Sequence, residues 1–250
     1  MKQVQIRNMV LGDGQVKICV PLLAKTRIEL TEQLAMIRKH APDMIEFRAD
    51  WYEAVMEKAK LCATLGQRRE QMGERPLLFT FRSKAEGGER SISWNEYKEM
   101  LSCVAESHLV DAIDVEVFMQ EDDAPDLIAQ LQKNEVKVIG SNHHFSHTPS
   151  LEEMKDLLCR MQRMGVDVAK LAVMPQGSED VLALLQVTYD MALQQDMVPV
   201  ITMAMGKLGV ISRMCGSMFG NVLTFASVAK QSAPGQIHIE KLREILEFVP

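Results

Sequence analysis

The sequence lacks long hydrophobic runs, paired cysteines and basic clusters, and each absence argues against a class of protein. No run of about 18 apolar residues occurs, and residues 1–7 alternate without a signal-type apolar stretch, so we expect no membrane segment. The five cysteines are widely spaced without a C-x-x-C pair, which argues against a disulfide framework and favours a cytoplasmic location. With a net charge of -6 and no stretch that concentrates lysine and arginine alone, nucleic acid is not an expected partner.

The chain does contain a repeated alternation of apolar, strand-like runs and helical patterns. Its 250 residues, of which 47% are hydrophobic, include eight such runs. They occupy residues 16–22, 44–50, 76–82, 112–118, 136–142, 168–174, 199–205 and 223–228. Segments with helical periodicity lie between them, for example the one that begins with the capping box Ser150-x-x-Glu153. This pattern predicts an α/β fold with a parallel sheet, and eight units in about 235 residues match a (β/α)8 TIM barrel.

Two parts of the pattern are less regular. The alternating N-terminal segment, which ends in a turn at residues 12–14, predicts a β-hairpin or a lid at one end of the barrel. After the seventh run, four glycines replace the expected helix, and they predict either a loop around a ligand or tight turns. These glycines are Gly206, Gly209, Gly216 and Gly220. Because no linker or low-complexity tract is visible, we expect one domain over residues 1–250.

Lys170 stands in the otherwise apolar sixth run, where a charged side chain needs a reason. Burying an ammonium group costs several kcal/mol unless it is paired or loses its proton, and a neutral amine is a nucleophile. The alternative is a structural lysine that pairs with a carboxylate or reaches solvent at the strand end. On its own, Lys170 leaves both interpretations open.

The C-terminal ends of the predicted strands carry many charged residues, and this is the end at which (β/α)8 barrels bind their substrates. The residues are Glu46, Arg48 and Asp50 on one face of the second run, Arg82 and Glu86 after the third, Asp114 and Glu116 in the fourth, His143 after the fifth, and Arg213 in a loop after the seventh. Individually they allow structural interpretations; for example, Asp114 and Glu116 could hold Arg82. Together they would be poor core material, so we expect a polar substrate site.

These residue types are suited to imine chemistry. A neutral Lys170 amine would attack a ketone or aldehyde, and the protonated imine would acidify a neighbouring C–H bond. His143, one strand away, would remove that proton and later return it, with Glu86 orienting its ring. Arg213 would hold a substrate carboxylate.

A metal centre built from His143, His144 and His147 is an alternative interpretation of the same region. A cation there would have to share the pocket with Lys170 and Arg82, so we expect no metal.

Six short motifs give the sequence a family resemblance over essentially its whole length. They are EFRAD (46–50), FTFRS with EGG (79–88), SNHHF (141–145), KLAVMP (170–175), ISR (211–213) and SAPGQ (232–236). By these motifs the chain resembles the type I 3-dehydroquinate dehydratases of the shikimate pathway. The resemblance implies a homodimeric (β/α)8 barrel that dehydrates 3-dehydroquinate to 3-dehydroshikimate by syn elimination, without a metal or an organic cofactor.

The resemblance also implies a role for nine residues. Lys170 corresponds to the Schiff-base lysine, His143 to the general acid/base and Glu86 to the carboxylate that orients it. Arg213 corresponds to the arginine that binds the substrate carboxylate. The other substrate-binding positions are Glu46, Arg48 and Arg82 around the ring hydroxyls, and Ser232 and Gln236 in a loop that closes over the substrate.

One position departs from the family pattern. The residue after the general acid/base histidine is commonly Asp, and here it is His144. If that Asp tunes the neighbouring histidine, its replacement should lower the pKa of His143 and shift the acid limb of the pH–rate profile, which we state as a hypothesis.

Two other functions stay open from the residues alone. A class I aldolase would share the lysine but cleave C–C bonds, and it would often need a phosphate site in the last loops. A non-catalytic barrel that binds a metabolite or a partner protein would form no imine.

Overall fold

The computed structural model of the chain describes residues 1–228 and 230–248. Three residues of the predicted single domain, Ala229, Val249 and Pro250, lie outside the described residues. The assignment of one domain stays a prediction.

The N-terminal hairpin expected from the alternating segment is confirmed. Strands β1 (Val4–Ile6) and β2 (Met9–Leu11) pair antiparallel around a turn at Arg7, whose φ is 51°. Ile6 and Leu11 are buried in a cluster with the apolar residues at the starts of the barrel strands. The hairpin therefore closes the N-terminal end of the barrel, opposite to the end at which the sequence predicts the site.

Eight parallel strands form the curled sheet of a (β/α)8 barrel, which confirms the predicted fold. They are β3 (Lys17–Leu22), β4 (Met44–Arg48), β5 (Leu77–Thr80), β6 (Ala112–Glu116), β7 (Lys137–His144), β8 (Val168–Val173), β9 (Val200–Ala204) and β10 (Leu223–Ser227), with a short β11 (Ile237–His238) beside β10. Strands β3 to β9 pair in chain order, and β10 pairs with β3. Between β9 and β10 the Asn221 side chain accepts from the Thr202 N–H and donates to the Leu223 carbonyl, both at 3.0 Å. A backbone hydrogen bond of 3.2 Å from Val222 to Val200 completes the closure.

A helix follows each barrel strand. The helices are α1 (Arg27–Lys39), α2 (Lys58–Met72), α3 (Trp94–Glu106), α4 (Ala124–Gln132), α5 (Leu151–Arg163), α6 (Ser178–Ala192), α7 (Gly206–Cys215) and α8 (Ile239–Leu246). The predicted capping box of α5 is present, because Ser150 and Glu153 each accept a hydrogen bond from the other's backbone N–H. Over residues 1–228 and 230–248, none of these helices has the length and apolar character needed to cross a membrane.

The prediction that glycines replace the helix after the seventh strand is wrong, because α7 occupies that segment. Gly209 lies inside this helix, and a Cβ there would come within 2.2 Å of the carbonyl oxygen of Ala204 on β9. The glycine therefore lets the helix pack closely on the strand, a need that the sequence pattern does not separate from a turn signal. Gly216 and Gly220 do lie in the turn that follows.

The inward-facing side chains of the barrel change from apolar to charged along the strands. At the N-terminal end they are Cys19, Met44, Leu78, Ala112, Ile139, Val168, Ile201 and Leu223. Because side chains on one face of a strand recur every second residue, the next inward layer contains Glu46, Thr80, Asp114, Ser141 and Lys170, all buried. The barrel thus separates an apolar end, closed by the hairpin, from a charged end.

Candidate active site

A cavity of about 460 Å³ opens at the C-terminal ends of the strands. All nine predicted site residues line it: Glu46, Arg48, Arg82, Glu86, His143, Lys170, Arg213, Ser232 and Gln236. The rest of its lining is Gly87, Phe145, Ala172, Met203, Met205, Phe225 and Ala233. The structure therefore brings together residues from five barrel strands, from the loops after β5 and β10 and from α7 in one partly apolar pocket.

Lys170 lies on β8 with only 4% of its surface exposed. Its contacts agree both with a structural ion pair and with an amine that faces a pocket. Its Nζ donates to Asp114 Oδ2 at 2.9 Å and lies 4.0 Å from Glu46 Oε1. The same Nζ lies 4.7 Å from the centre of the Phe225 ring and borders the cavity. The lysine is thus an ion-paired residue whose amine also borders the cavity.

Arg82 is the centre of a buried carboxylate network next to Lys170. Its Nη2 donates to Asp114 at 2.7 Å, and its Nη1 donates to Glu116 and to Ser141, each at 3.0 Å. Burial alone would raise the pKa of Asp114, but the charges of Arg82 and Lys170 lower it to about 2. The structural interpretation of Asp114 and Glu116, that they hold Arg82, is therefore correct, and Arg82 nevertheless lines the cavity.

His143 and Glu86 form a hydrogen-bonded pair across the pocket. His143 Nδ1 lies 2.8 Å from Glu86 Oε2, and Asn142 donates to the other oxygen of Glu86 at 3.0 Å. Burial and then the Arg82 charge lower the pKa of His143 well below its ordinary value, whereas burial and Glu116 raise the pKa of Glu86 to about 8. The ring is neutral near neutral pH, and when its Nδ1–H donates to Glu86, Nε2 remains free to accept a proton.

The second predicted strand ends earlier than the sequence indicates. Strand β4 stops at Arg48, and Ala49–Trp51 forms a 3₁₀ turn, so Asp50 does not share a strand face with Glu46 and Arg48. Instead the turn brings Asp50 back against Arg48, and its two oxygens accept from Nε and Nη2 of the guanidinium at 2.9 Å. Arg48 therefore pairs with Asp50, not with Glu46, while Glu46 accepts from Thr80 at 2.9 Å.

Arg213 is a buried guanidinium without a carboxylate partner among residues 1–228 and 230–248. It lies on α7, so the predicted position in a loop is wrong, for the packing reason given for Gly209. Its Nη1 contacts Met203 Sδ at 3.7 Å, its Nη2 donates to the Pro234 carbonyl at 3.4 Å, and its Nε has no partner in the described structure. Burial lowers the pKa of Arg213 to about 10. An anion bound in the cavity would therefore give this guanidinium the counter-charge that the described residues do not supply.

The loop that contains Ser232 and Gln236 lies over the cavity next to Arg213. Within this loop the Gln236 side chain accepts from the Ser232 N–H and donates to the Ser232 hydroxyl, both at 2.8 Å. The Pro234 carbonyl accepts from the Gly206 N–H at 3.2 Å, which attaches the loop to the start of α7. A substrate would thus meet a loop that already has internal order.

His144 and His147 lie beside the cavity residues but do not line the pocket. Their rings are 5.2 Å apart, and burial and then His147 lower the pKa of His144. Over the part of the chain that the structure describes, no group of three or more His, Cys, Asp or Glu side chains could hold a metal ion. The histidine-cluster alternative therefore has no ligand set among these residues.

Among the other lining residues, Gly87, Phe145, Phe225 and Ala233 received no role in the sequence argument. Gly87 has a φ of +82°, and a Cβ there would lie 2.3 Å from the Phe145 ring, so both the conformation and the close approach require glycine. Phe225 follows Leu223 on the inward face of β10. The alternation of side chains along the strand could have predicted that Phe225 points into the barrel. An aromatic ring in an apolar strand gives no separate indication of a pocket.

Comparisons with known proteins show which family the chain is similar to. A family model described as type I 3-dehydroquinase matches residues 18–249. A 3-dehydroquinate dehydratase of Clostridium novyi is 44% identical over 249 residues, covering 100% of this chain and 98% of that protein. A solved type I 3-dehydroquinate dehydratase from Clostridium difficile, with covalent modified comenic acid, is 42% identical with a TM-score of 0.95, over 99% of this chain and 97% of that one. The 3-dehydroquinate dehydratase of Geobacillus kaustophilus is 35% identical with a TM-score of 0.95, over 99% and 96%. The chain belongs to the type I 3-dehydroquinase family.

Proposed function

We propose that this chain is a 3-dehydroquinate dehydratase, a hydro-lyase of the shikimate pathway that works through a lysine Schiff base. The observation that carries the proposal is that one cavity holds a lysine amine, a histidine–carboxylate pair and a buried arginine that has no anionic partner among the described residues. 3-Dehydroquinate offers a ketone, an acidic C–H bond next to it and a carboxylate, which match these three features in turn. The full-length relatives named above support the same substrate.

Lys170 is the residue that forms the imine. Its Nζ gives up a proton and attacks the ring ketone, and the ketone oxygen then leaves as water with two protons from Nζ. The product is a protonated imine that withdraws electrons from C2. Asp114 lies 2.9 Å from Nζ, and its pKa of about 2 keeps it ionised, so it stabilises the cationic imine rather than storing the proton. Hydrolysis of the imine after the elimination releases 3-dehydroshikimate and restores the amine.

His143 moves the proton in the elimination. Nε2 takes the C2 proton, electrons move from C2 toward the imine and then expel the hydroxyl at C1, and His143 returns its proton to that departing hydroxyl. One residue that serves both steps on one face of the ring gives a syn elimination. Glu86 holds the ring through Nδ1, which keeps Nε2 toward the substrate.

The remaining predicted residues bind the substrate. Arg213 binds the substrate carboxylate, and this carboxylate is the counter-charge that the guanidinium lacks among the described residues. The ring hydroxyls bind to Glu46, Arg48 and Arg82, which also line the cavity. When their loop closes, Ser232 and Gln236 exchange the hydrogen bonds that they make with each other for hydrogen bonds to the substrate.

Borohydride reduction in the presence of 3-dehydroquinate tests this proposal. We expect a stable mass increase on the peptide that contains Lys170, because reduction converts the imine to a secondary amine. Lys170→Met, which keeps the length of the side chain but has no amine, should give no adduct. His143→Ala should still form the adduct while turnover is lost. A wild-type chain that folds but gains no adduct would contradict the mechanism, and would favour the non-catalytic alternative.

We also propose a cytoplasmic homodimer. The dimer follows from the family resemblance, and exposed apolar side chains on the adjacent helices α6 and α7 support it: Leu182, Tyr189, Leu193, Leu208 and Ile211. The five cysteines are free thiols, which is compatible with a reducing compartment. Sedimentation equilibrium at micromolar concentration should give twice the mass of one chain, and a concentration-independent monomer would exclude the dimer.

A further inference from the structure

Asp50 is a fully buried carboxylate at the charged end of the barrel that the proposed mechanism does not use. It follows β4 in the 3₁₀ turn Ala49–Trp51 and does not line the cavity. A buried carboxylate costs several kcal/mol unless hydrogen bonds and a counter-charge compensate it, so its partners show what its burial achieves.

Four N–H donors from three parts of the chain meet at this carboxylate. Oδ1 accepts from Arg48 Nε at 2.9 Å and from the Arg82 backbone N–H at 3.3 Å. Oδ2 accepts from Arg48 Nη2 at 2.9 Å and from the Glu89 backbone N–H at 3.2 Å. Both oxygens are thus shared between a side chain of the cavity and the backbone of the loop after β5.

The Arg48 side chain is fixed by this arrangement. The two hydrogen bonds to Asp50 use one edge of its guanidinium, and Nη1 on the other edge has no hydrogen-bond partner among the described residues. A two-point grip of this kind sets the plane of the guanidinium as well as its position. Arg48 is therefore held with a donor available at the cavity wall.

The loop after β5 is fixed at both ends by the same carboxylate. Asp50 contacts the backbone at Arg82, where the loop begins, and at Glu89, near its end, and Glu86 lies between them. The loop is compact, because the Gly88 N–H donates to the Ser83 carbonyl at 2.8 Å. Any shift of this loop would move Glu86 relative to His143.

We propose that Asp50 is a positioning residue for the dehydration, which holds Arg48 toward the substrate and fixes the loop that presents Glu86 to His143. This inference rests on the proposed function, because it assigns Asp50 to groups that bind and process the substrate. Asp50 itself does not touch the substrate.

The isosteric variant Asp50→Asn tests the proposal. An amide has one accepting oxygen, so its NH2 group must face two of the four donors whichever way it is turned. We expect kcat/KM to fall on the order of 10-fold to 100-fold, the range for hydrogen bonds to charged groups, with KM rising as Arg48 loses its orientation. Circular dichroism and a thermal melt establish the folded fraction at the assay temperature.

Asp111→Asn is the matched control. Like Asp50, Asp111 accepts hydrogen bonds from both arginine and backbone donors. Its donors are the side chains of Arg7 and Arg69 and the Leu77 N–H, at the opposite end of the barrel. We expect this variant to lose stability and to keep the kcat/KM of the wild type in the folded protein. If the two variants have the same kinetics, Asp50 has only a structural role and the proposal is overturned.

The pH profile gives a readout that a purely structural role would not change. The groups that face His143 are Glu86, Arg82, Lys170, Arg48 and His144. The Arg48 charge lowers the pKa of His143, and Asp50 offsets that charge, so Asp50→Asn should lower this pKa further. Because His143 acts as a base when it is neutral, the acid limb of kcat/KM should move to lower pH in Asp50→Asn and stay unchanged in Asp111→Asn.

A double-mutant cycle with Arg48→Met tests whether Asp50 acts through Arg48. We expect the effect of Asp50→Asn to be at least 3-fold smaller when the guanidinium is already absent, and fully additive effects would overturn the proposal. If Asp50→Asn does not fold, Arg48→Lys tests the same pair, because lysine keeps the charge but not the two-point grip. A wild-type kcat/KM in Arg48→Lys would then overturn it.

The borohydride adduct separates this inference from the proposed function. Both the wild type and Asp50→Asn should still form the adduct on Lys170. An absent adduct in the wild type contradicts the proposed function, whereas a normal adduct together with wild-type kinetics in Asp50→Asn contradicts only the role of Asp50.

Discussion

Two buried arginines in the cavity, Arg82 and Arg213, have opposite electrostatic environments. Although burial lowers the pKa of Arg82, Asp114, Glu116 and Glu86 raise it above its ordinary value. Burial alone acts on Arg213. One arginine is therefore compensated by the protein, and the other is compensated only when an anion binds.

This contrast predicts opposite effects on stability for the same substitution. Arg213→Met should lower kcat/KM by about 100-fold or more, mostly through KM, because the substrate carboxylate loses its partner. The same change should leave the free energy of unfolding unchanged or raise it by about 1 kcal/mol, since an uncompensated buried charge is removed. Steady-state kinetics and urea denaturation measure the two effects.

Arg82→Met is the matched comparison. It should lower the free energy of unfolding by about 3–5 kcal/mol, because it leaves buried carboxylates without a counter-charge. Equal losses of stability in the two variants would show that Arg213 has a partner in the folded protein that the structure does not contain.

His144, in place of the Asp common in the family, leads to a second prediction at the residue scale. The His144 charge contributes to the lowered pKa of His143, after burial and the neighbouring cations. His144→Asp replaces it with a negative charge, so the pKa of His143 should rise. Because the base is active only when it is neutral, the acid limb of kcat/KM should move to higher pH, while the plateau value changes by less than about 10-fold.

A pH–rate titration of wild type and His144→Asp measures this shift. His147→Asp is the control, because His147 contacts His144 and not His143, and its effect on the limb should be smaller. An unchanged limb in His144→Asp would contradict the hypothesis.

At the scale of secondary-structure elements, the packing of α7 on β9 determines where Arg213 lies. Gly209 and Ser212 face the strand, and the Ser212 hydroxyl accepts from the Ala204 N–H at 2.9 Å. This close contact places the next residue, Arg213, beside Met203 in the cavity wall. The glycine that looked like a helix breaker in the sequence is thus part of what positions the site.

Gly209→Ala should therefore destabilise the protein, in contrast to a glycine in another helix. Its Cβ would meet the Ala204 backbone at 2.2 Å, and overpacking of this kind costs about 1–3 kcal/mol. Gly66 lies in α2 with its nearest neighbour 3.9 Å from the Cβ position, so Gly66→Ala should stabilise by about 0.5–1 kcal/mol. Urea denaturation of both variants measures the difference, and a destabilising Gly66→Ala or a neutral Gly209→Ala would contradict the packing argument.

At the scale of the whole molecule, the apolar layer that the hairpin covers and the charged layer that faces the cavity lie at opposite ends of the barrel. The hairpin buries Ile6 and Leu11 against the apolar layer at the N-terminal end, and the charged layers lie toward the other end. In (β/α)8 barrels the bottom face generally contributes stability and the top face catalysis.

Leu11→Ala tests this separation. Leu11 is fully buried, and its truncation should lower the free energy of unfolding by about 2–5 kcal/mol. The kcat and KM of the folded protein at 25 °C should change by less than about 2-fold, because the hairpin lies at the end of the barrel opposite to the charged residues that face the cavity. A large change in kcat would show that the two ends of the barrel are coupled.

Much of the fold and site could be predicted from particular sequence signals. The eight apolar runs and the capping box at Ser150 predict the barrel, because burial on both faces of a parallel sheet produces continuous apolar strands. The position of Lys170 within such a run indicates a charge in the interior. The site residues follow because they lie at strand ends, which the barrel topology collects at one place.

Other features depend on contacts between distant parts of the chain. The Asn221 side chain that closes the barrel, the helix around Gly209 and the pairing of Arg48 with Asp50 have no distinct local pattern. Each depends on how closely two elements approach, and periodicity along the chain carries no information about that distance.

The sequence by itself determined the alternation of strands and helices, the family, and the residue types available for imine chemistry. Only the tertiary structure decided which charges compensate each other. It pairs Lys170 with Asp114, and in the part of the chain that it describes it gives Arg213 no carboxylate. The physical reason is that the cost of a buried charge depends on partners within about 4 Å, and those partners come from strands tens of residues apart.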